Sequence, residues 1–313
     1  MIVKSADMAF KDYATAWNET YNLVKTAKTR AVCNNIIYKH IIPAIGGIPI
    51  NKLFPSDVQK MVNDRSDKRQ TCEQIRMGLR QINKSAINDG LIAKDFCYGV
   101  KLLGKIKTKK RALTDLEKKA VEKADFTDRE RAFVYLILYF GLRRQEALAV
   151  CSSDFKNNVL HINKTISFNG NEWEIKETKS QAGVRDLPIP QKVTLFFKNY
   201  ISALNTLQLI TKMDGTLVSL SSYTKMWKTI VRKLNDSVLT DKERELKTQK
   251  ITGLTAHIFR HNYCTELYYS DISLKEATRL MGHADVKMIM NVYAHLDDKR
   301  ENTAEKISKI AFL

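Results

Sequence analysis

KLLGKIKTKKRALTDLE, residues 101–117, separates two patterns in this chain. Residues 101–111 carry six basic side chains and no acidic one. Such a run cannot bury itself, and its charges repel one another into an extended form, so it reads as a linker. Thr114 then stands three residues ahead of Glu117, the capping-box spacing that opens a helix and, with it, a second domain. The boundaries that follow are a first domain over 4–103, a basic linker over 104–111 and a second domain over 112–313.

On the N-terminal side every segment reads as helix, over 9–21, 30–40, 55–65 and 72–89. Ile75, Leu79, Ile82 and Ala86 fall at i, i+4, i+7 and i+11, which paints one face of a helix. Pro43 and Gly46–Gly47 stop one helix, and Ser56 after Pro55 starts the next. On the C-terminal side a helix over 129–150 contains the apolar run 132–140, too short to span a bilayer and suited to a core. Alternating segments at 159–162, 173–178 and 184–187 predict three short antiparallel strands, with 180–183 turning between the last two. From Gln191 the pattern is helical again. The fold class is α+β: an all-helical N-terminal domain, a basic linker, and a mainly helical second domain with a small antiparallel sheet at its edge.

Lys plus Arg exceed Asp plus Glu by 52 − 34 = 18, an excess that attracts polyanions far better than neutral ligands. Nucleic acid is the first partner this suggests. Cys33, Cys72, Cys97, Cys151 and Cys264 are scattered without a C-x-x-C pair, so neither a disulfide framework nor a zinc ribbon is expected and a reducing cytosol fits. The opening residues are polar and amphipathic, unlike a secretory signal. No phosphate-binding G-x-x-x-x-G-K-[ST] motif and no metal or flavin motif is present, so no cofactor is expected.

Four short motifs carry chemistry, each ambiguous alone. In GLRRQEAL, 141–148, Arg143 and Glu146 lie three apart on one helix face directly after the apolar run. An ordinary surface ion pair satisfies that pattern, but a guanidinium emerging beside a core needs an anion, and phosphate matches its fork. Thr178, Lys179 and Ser180 approach a hairpin turn followed by Gly183, Val184 and Arg185; a lysine there is either solvated or a mobile proton donor reaching into a groove. In HIFRHNYCT, 257–265, His257, Arg260 and His261 crowd one helical face. Zinc ligation by the two histidines is the competing reading, weakened by a missing glutamate and by a cation where the metal would sit. In LMGHADVKMIMNVYAHL, 280–296, Gly282 and His283 close one helix and Tyr293 follows ten residues later. A tyrosine on an apolar segment is more often core than catalyst.

Taken in order, Arg143, Lys179, His257, Arg260, His283 and Tyr293 resemble the complete active-site set of the tyrosine recombinase family, phage and conjugative-transposon integrases among them. The resemblance covers nearly the whole chain, because 8–100, including IIPAIGGIPINKLFPSDVQ, looks like that family's SAM-like core-binding domain. It implies a site-specific recombinase that cuts and rejoins DNA through a 3′-phosphotyrosyl intermediate to integrate or excise a mobile element. By matching motif positions, Tyr293 is implied as nucleophile, Lys179 as general acid, and Arg143, Arg260 and His283 as transition-state clamps. His257 is implied to assist proton transfer or hold the phosphate. The linker residues Lys105, Lys107, Lys109, Lys110 and Arg111 are expected along the DNA phosphates.

The chemistry is consistent with those roles. A free phenol has a pKa near 10, so an activated tyrosine needs a base or a dense positive field. Fixed cations can stabilise the charge spread over the nonbridging oxygens of a phosphoryl group in transfer. The implied partners are double-stranded recombination sites, further copies of the chain in a tetrameric synaptic complex, and accessory DNA-bending or excision factors, in a cytoplasmic, nucleoid-associated setting and away from any membrane. With the helical pattern beginning near residue 8, the arm-binding domain that many integrases carry is not expected. Ala304, Ile307, Ile310, Ala311 and Phe312 form a short apolar face near the end of the chain. That face packs on its own domain or, as the resemblance implies, on a neighbouring protomer. Two other readings stay open: a metal-free tyrosine topoisomerase, which uses nearly the same constellation, and a non-catalytic DNA-binding regulator.

Overall fold

The computed structural model describes residues 7–103, 111–178, 181–246, 248–283, 285–287, 289–290 and 292–293. The chain divides into two compact units, Met1–Lys109 and Lys110–Leu313.

The first unit contains helices α1 (Phe10–Tyr21), α2 (Ala27–Ile36), α3 (Ile42–Ile45), α4 (Pro55–Asn63) and α5 (Arg69–Asn88). On α5 the face predicted from periodicity is the buried one: Ile75, Leu79, Ile82 and Ala86 are fully enclosed and meet Phe10, Ile37 and Ile41 in one core. Pro43 does not stop its helix. The backbone runs on from α2 through a π turn, Ile37–Ile41, into α3, and Ile42 N–H donates to the Ile37 carbonyl five residues back. Proline has no N–H and its ring crowds the carbonyl four residues before it; the wider turn lets the helical path continue past it. Gly46 then caps α3.

The second unit opens as its capping box predicts. Thr114 accepts from Glu117 N–H, Glu117 accepts from Thr114 N–H, and α6 (Asp115–Lys123) begins there. Helix α7 (Asp128–Tyr139) buries Ala132, Phe133, Val134, Leu136 and Ile137 completely. The expected single helix over 129–150 breaks at Gly141, whose φ of +61° is left-handed. A Cβ at Gly141 would lie 2.2 Å from the Tyr263 ring, so both the conformation and the space require glycine. A separate short helix, α8 (Arg144–Ala147), follows, with Arg143 as its extended N-cap.

The strands also depart from expectation. Among the described residues five form two sheets: β1 (Phe155–Lys156), β2 (Val159–Ile162) and β5 (Arg185–Pro188) in the order β1-β2-β5, and β3 (Lys164–Asn169) with β4 (Glu172–Glu177) as a separate antiparallel pair. The segment expected at 173–178 therefore pairs with β3 across Gly170, which has a φ of +60°, and not with β5. Asn169-Gly170-Asn171 is a strong hairpin signal that the alternation alone passed over. The remaining helices are α9 (Gln191–Ser202), α10 (Leu220–Asp236), α11 (Asp241–Glu245), α12 (Ala256–Tyr269) and α13 (Leu274–Met281), most packed on one apolar core with α7. All five cysteines are free thiols. Among the described residues no helix is long and apolar enough to cross a membrane.

Candidate active site

Helix α13 ends where the sequence places its end. Gly282 adopts φ +60°, and the last helical carbonyls, lacking partners within the helix, point out of its C-terminus with the negative end of its dipole. Three arginines from three different elements take these carbonyls in succession. Arg185, on β5, donates through Nε to the Leu280 carbonyl at 2.8 Å; Arg260, on α12, donates through Nη2 to the Met281 carbonyl; Arg143, ahead of α8, donates through Nη2 to the Gly282 carbonyl at 2.9 Å.

Glu146 sits among them. Its carboxylate receives Arg143 Nη1 at 2.6 Å and Arg185 Nη2 at 2.9 Å, lies 3.9 Å from Arg260 Nη1, and accepts from Arg143 N–H as the cap of α8. Burial opposes its ionisation, but Arg185, Arg143 and Arg260 overcome that and hold its pKa at about 2. Three guanidinium groups against one carboxylate leave a net +2. A buried surplus of that sign is costly unless an anion completes it.

The three arginines are not equivalent. Arg143 keeps 42% of its side chain exposed, whereas Arg185 and Arg260 keep 1% and 2%. Arg260 also donates through Nη1 to the Gly141 carbonyl at 2.5 Å, and burial followed by Arg143 and Arg185 brings its pKa down to about 9, so it stays charged at neutral pH. Arg143, Arg260 and the exposed His257 line one pocket of about 230 Å³ together with Leu142, Arg144 and Gln145. Each Arg260 Nη group carries two hydrogens and spends one on a carbonyl, so the guanidinium can serve the pocket while anchored.

His283 follows Gly282. Its Nε2 is buried without a hydrogen-bond partner among the described residues. Burial, then Arg260, Arg143 and Arg185, bring its pKa down to about 4 against the opposing pull of Glu146. It is neutral at pH 7. Tyr293 is half-buried, packs edge-on to Tyr268 at 5.0 Å between ring centres, and donates its hydroxyl to the Ile272 carbonyl at 3.2 Å. Burial, Cys264 and Tyr268 push its pKa up to about 12, so in this state the phenol holds its proton.

The structure thus brings Arg143, His257, Arg260 and His283 to one neighbourhood, with Tyr293 resting on Tyr268 of α12. Lys179 lies outside the described residues, as do Lys105, Lys107, Lys109, Lys110 and the apolar face over 304–312. Arg111 pairs bidentately with Glu117 at 2.6 and 2.7 Å, so its charge already has an anion. In the sequence Arg185 reads only as a residue after a turn. The signal was its register: on β5 Arg185 and Leu187 both face inward, and an inward arginine needs a reason.

A model of the phage integrase family matches residues 111–300, and a model of the phage integrase N-terminal SAM-like domain matches residues 9–65. The chain belongs to the phage integrase family. Integrase-family relatives include a XerC-like tyrosine recombinase of Caldanaerobacter subterraneus, 25% identical over 87% of this chain and 72% of that protein. The transposase of transposon Tn916 from Enterococcus faecalis is 24% identical over 80% of this chain and 65% of its own length. Among solved structures, the integrase of transposon Tn1549 in complex with transposon right-end DNA superposes with a TM-score of 0.78 at 22% identity, covering 97% of this chain and all of that one. A lambda integrase tetramer bound to a Holliday junction gives 0.67 at 18% identity, covering 91% of this chain and 77% of that one. This integrase is accordingly a tyrosine recombinase, of the class that cuts and rejoins DNA.

Proposed function

We propose that this integrase cleaves double-stranded recombination sites with Tyr293 and rejoins them to integrate or excise a mobile element. The Tyr293 oxygen attacks a backbone phosphorus as its phenol proton passes to His257, the bond from phosphorus to O5′ breaks, and a 3′-phosphotyrosyl ester forms. Lys179 supplies the proton that the departing O5′ needs. The ester conserves the energy of the broken bond, so a second 5′-hydroxyl can reverse the step on another strand. Arg143 and Arg260 hold the nonbridging oxygens, neutral His283 hydrogen-bonds the phosphate through its open nitrogen, and His257 assists proton transfer at the rim.

The observation that carries this reading is the net +2 cluster of Arg143, Arg185 and Arg260 around Glu146, opening into the pocket that His257 lines. A phosphodiester contributes one negative charge and two acceptor oxygens, which suits the surplus. The raised pKa of Tyr293 fits a nucleophile held protonated until a phosphate and its neighbouring cations are engaged. We further propose that the active form is a tetramer of protomers on DNA, working in the cytoplasm and joined by accessory DNA-bending or excision factors.

The test is a suicide substrate carrying a nick beside the cleavage position. Covalent protein on a denaturing gel is expected from the unmodified chain and none from Tyr293→Phe, with equal DNA affinity in both. Attachment that persists in Tyr293→Phe would overturn the assignment.

A further inference from the structure

Arg185 is the most tightly held cation at the site and the one least accessible to DNA. Its side chain is 1% exposed. Each of its three nitrogens donates to a different element: Nε to the Leu280 carbonyl at the end of α13, Nη1 to the Gly183 carbonyl at 3.0 Å in the turn before β5, and Nη2 to Glu146 on α8 at 2.9 Å. Gly282 leaves room for this arrangement, since a Cβ there would stand 2.7 Å from Arg185 Nη1. Arg143 and His283 both hang from the groups Arg185 joins. Arg143 is fixed by Glu146 and by the Gly282 carbonyl, and His283 is the next residue along the chain.

We propose that Arg185 is a positioning residue of the cleavage site: closed to DNA, it bolts Glu146 to the last turn of α13 and so sets where Arg143 and His283 meet the phosphate. The proposal rests on the recombinase reading for its rate predictions but not for its structural ones. Arg185 also shares in the field on His283, which is faced by Arg260 from α12, Arg143 and Glu146 from the start of α8, and Arg185 from β5. Removing Arg185 relaxes that field as well as the geometry, and the two effects are separable. Arg185→Gln removes charge and fork together. Arg185→Lys keeps the charge, but a single ammonium cannot serve three acceptors on three elements in a fixed plane.

Three readouts decide it, all on the full chain. Cleavage of the suicide substrate should fall about 10²-fold in Arg185→Gln and by an intermediate factor in Arg185→Lys, the scale expected when reacting groups are misplaced by an ångström. His283 followed by NMR titration should protonate at higher pH in Arg185→Gln and close to the unmodified value in Arg185→Lys. Affinity for a single site, and its dependence on salt, should stay as in the unmodified chain, because Arg185 does not touch the DNA phosphates. Cleavage within threefold of the unmodified rate in both variants overturns the proposal. A salt slope flatter by about 0.9 in Arg185→Gln also overturns it, by making Arg185 a phosphate ligand. Should the glutamine variant not fold, the lysine variant and the unmodified chain still decide: the Arg185 Nε–H signal must exchange slowly and survive DNA binding, and coupling of that arginine to DNA phosphorus refutes the idea. If the unmodified chain forms no covalent complex, the recombinase reading fails while the titration and exchange measurements continue to test Arg185.

Discussion

Gly282 and Arg185 share one volume: the space that a side chain at Gly282 would need is filled by the Arg185 guanidinium, 2.7 Å from the place of the missing Cβ. The same glycine sits at φ +60°, closing α13. Two constraints therefore coincide at a single position.

Gly282→Ala is expected to suffer both. The left-handed backbone alone costs an alanine about 1–2 kcal/mol, and the methyl must displace a guanidinium held by three bonds. A lowered melting temperature together with a cleavage loss larger than the stability change explains is the predicted outcome. Calorimetry beside suicide-substrate kinetics checks it, and an alanine variant that melts and cleaves normally contradicts it.

Arg143→Ala and Arg260→Ala are expected to lose comparable rate and unequal stability. A single lost transition-state donor costs about 10²–10³ in rate. Arg143 is part-exposed, so its loss should leave the fold nearly intact. Arg260 is enclosed and holds the Gly141 and Met281 carbonyls, and breaking a buried charged group's partnership costs about 3–5 kcal/mol. Urea unfolding of both variants measures the split; equal stabilities would mean Arg260 does not brace the site.

Much of this site was legible as residue types and order, and much less of it as local structure. Gly282–His283 closing a helix and the Thr114 capping box are local effects, readable from a few neighbouring residues. The Arg143–Glu146 spacing suggested a shared helix face, yet Arg143 precedes its helix and Glu146 caps it; Gly141 breaks the chain there because Tyr263, more than a hundred residues away, leaves no room for a side chain. The segment of β4 is read as a strand from its alternation but takes an unforeseen partner, because β3 buries only Ile166 fully and has no clear apolar alternation to mark it. Arg185 became meaningful only when β5, α8 and α13 met. The meeting of distant segments is what a single sequence leaves unstated.

Stability should change with pH through His283. Its folded pKa, about 4, lies below the ordinary value of 6.5, so between those values the unfolded chain binds the extra proton. The contribution is fully present above pH 6.5 and is lost as pH falls toward 4. Glu146, held at about 2, adds stability above its ordinary range near 4.5 that is lost below it, a separate and more acidic window. Denaturant unfolding at pH 7 and pH 5 should show the unmodified chain losing more stability than His283→Gln over that interval. Identical losses would remove His283 as the titrating group.

The linker lysines should contribute affinity for DNA of any sequence. Neutralising Lys105, Lys107, Lys109 and Lys110 should weaken binding on all duplexes alike and flatten log affinity against log salt by about 0.9 for each phosphate that a lysine no longer neutralises. Arg111→Gln should leave that slope unchanged, because Glu117 already neutralises Arg111. A change in slope for Arg111 equal to that of a lysine would show that the ion pair opens on DNA.

The convergence of Arg143, Arg185 and Arg260 on one carboxylate and three successive carbonyls has a consequence for mutational additivity. The four charged groups stand or fall together, so losses from single substitutions overlap and their sum exceeds the loss from removing several at once. Arg185 and Glu146 replaced jointly by apolar residues of matching volume should destabilise the fold less than Glu146 replaced alone, since Arg185 is then not stranded beside Arg143 and Arg260 without a carboxylate. Catalysis would not recover with the fold, because Arg143 would have lost its bracket. Stability and rate, usually surrendered together in a buried ion cluster, are separable here within one pair of residues.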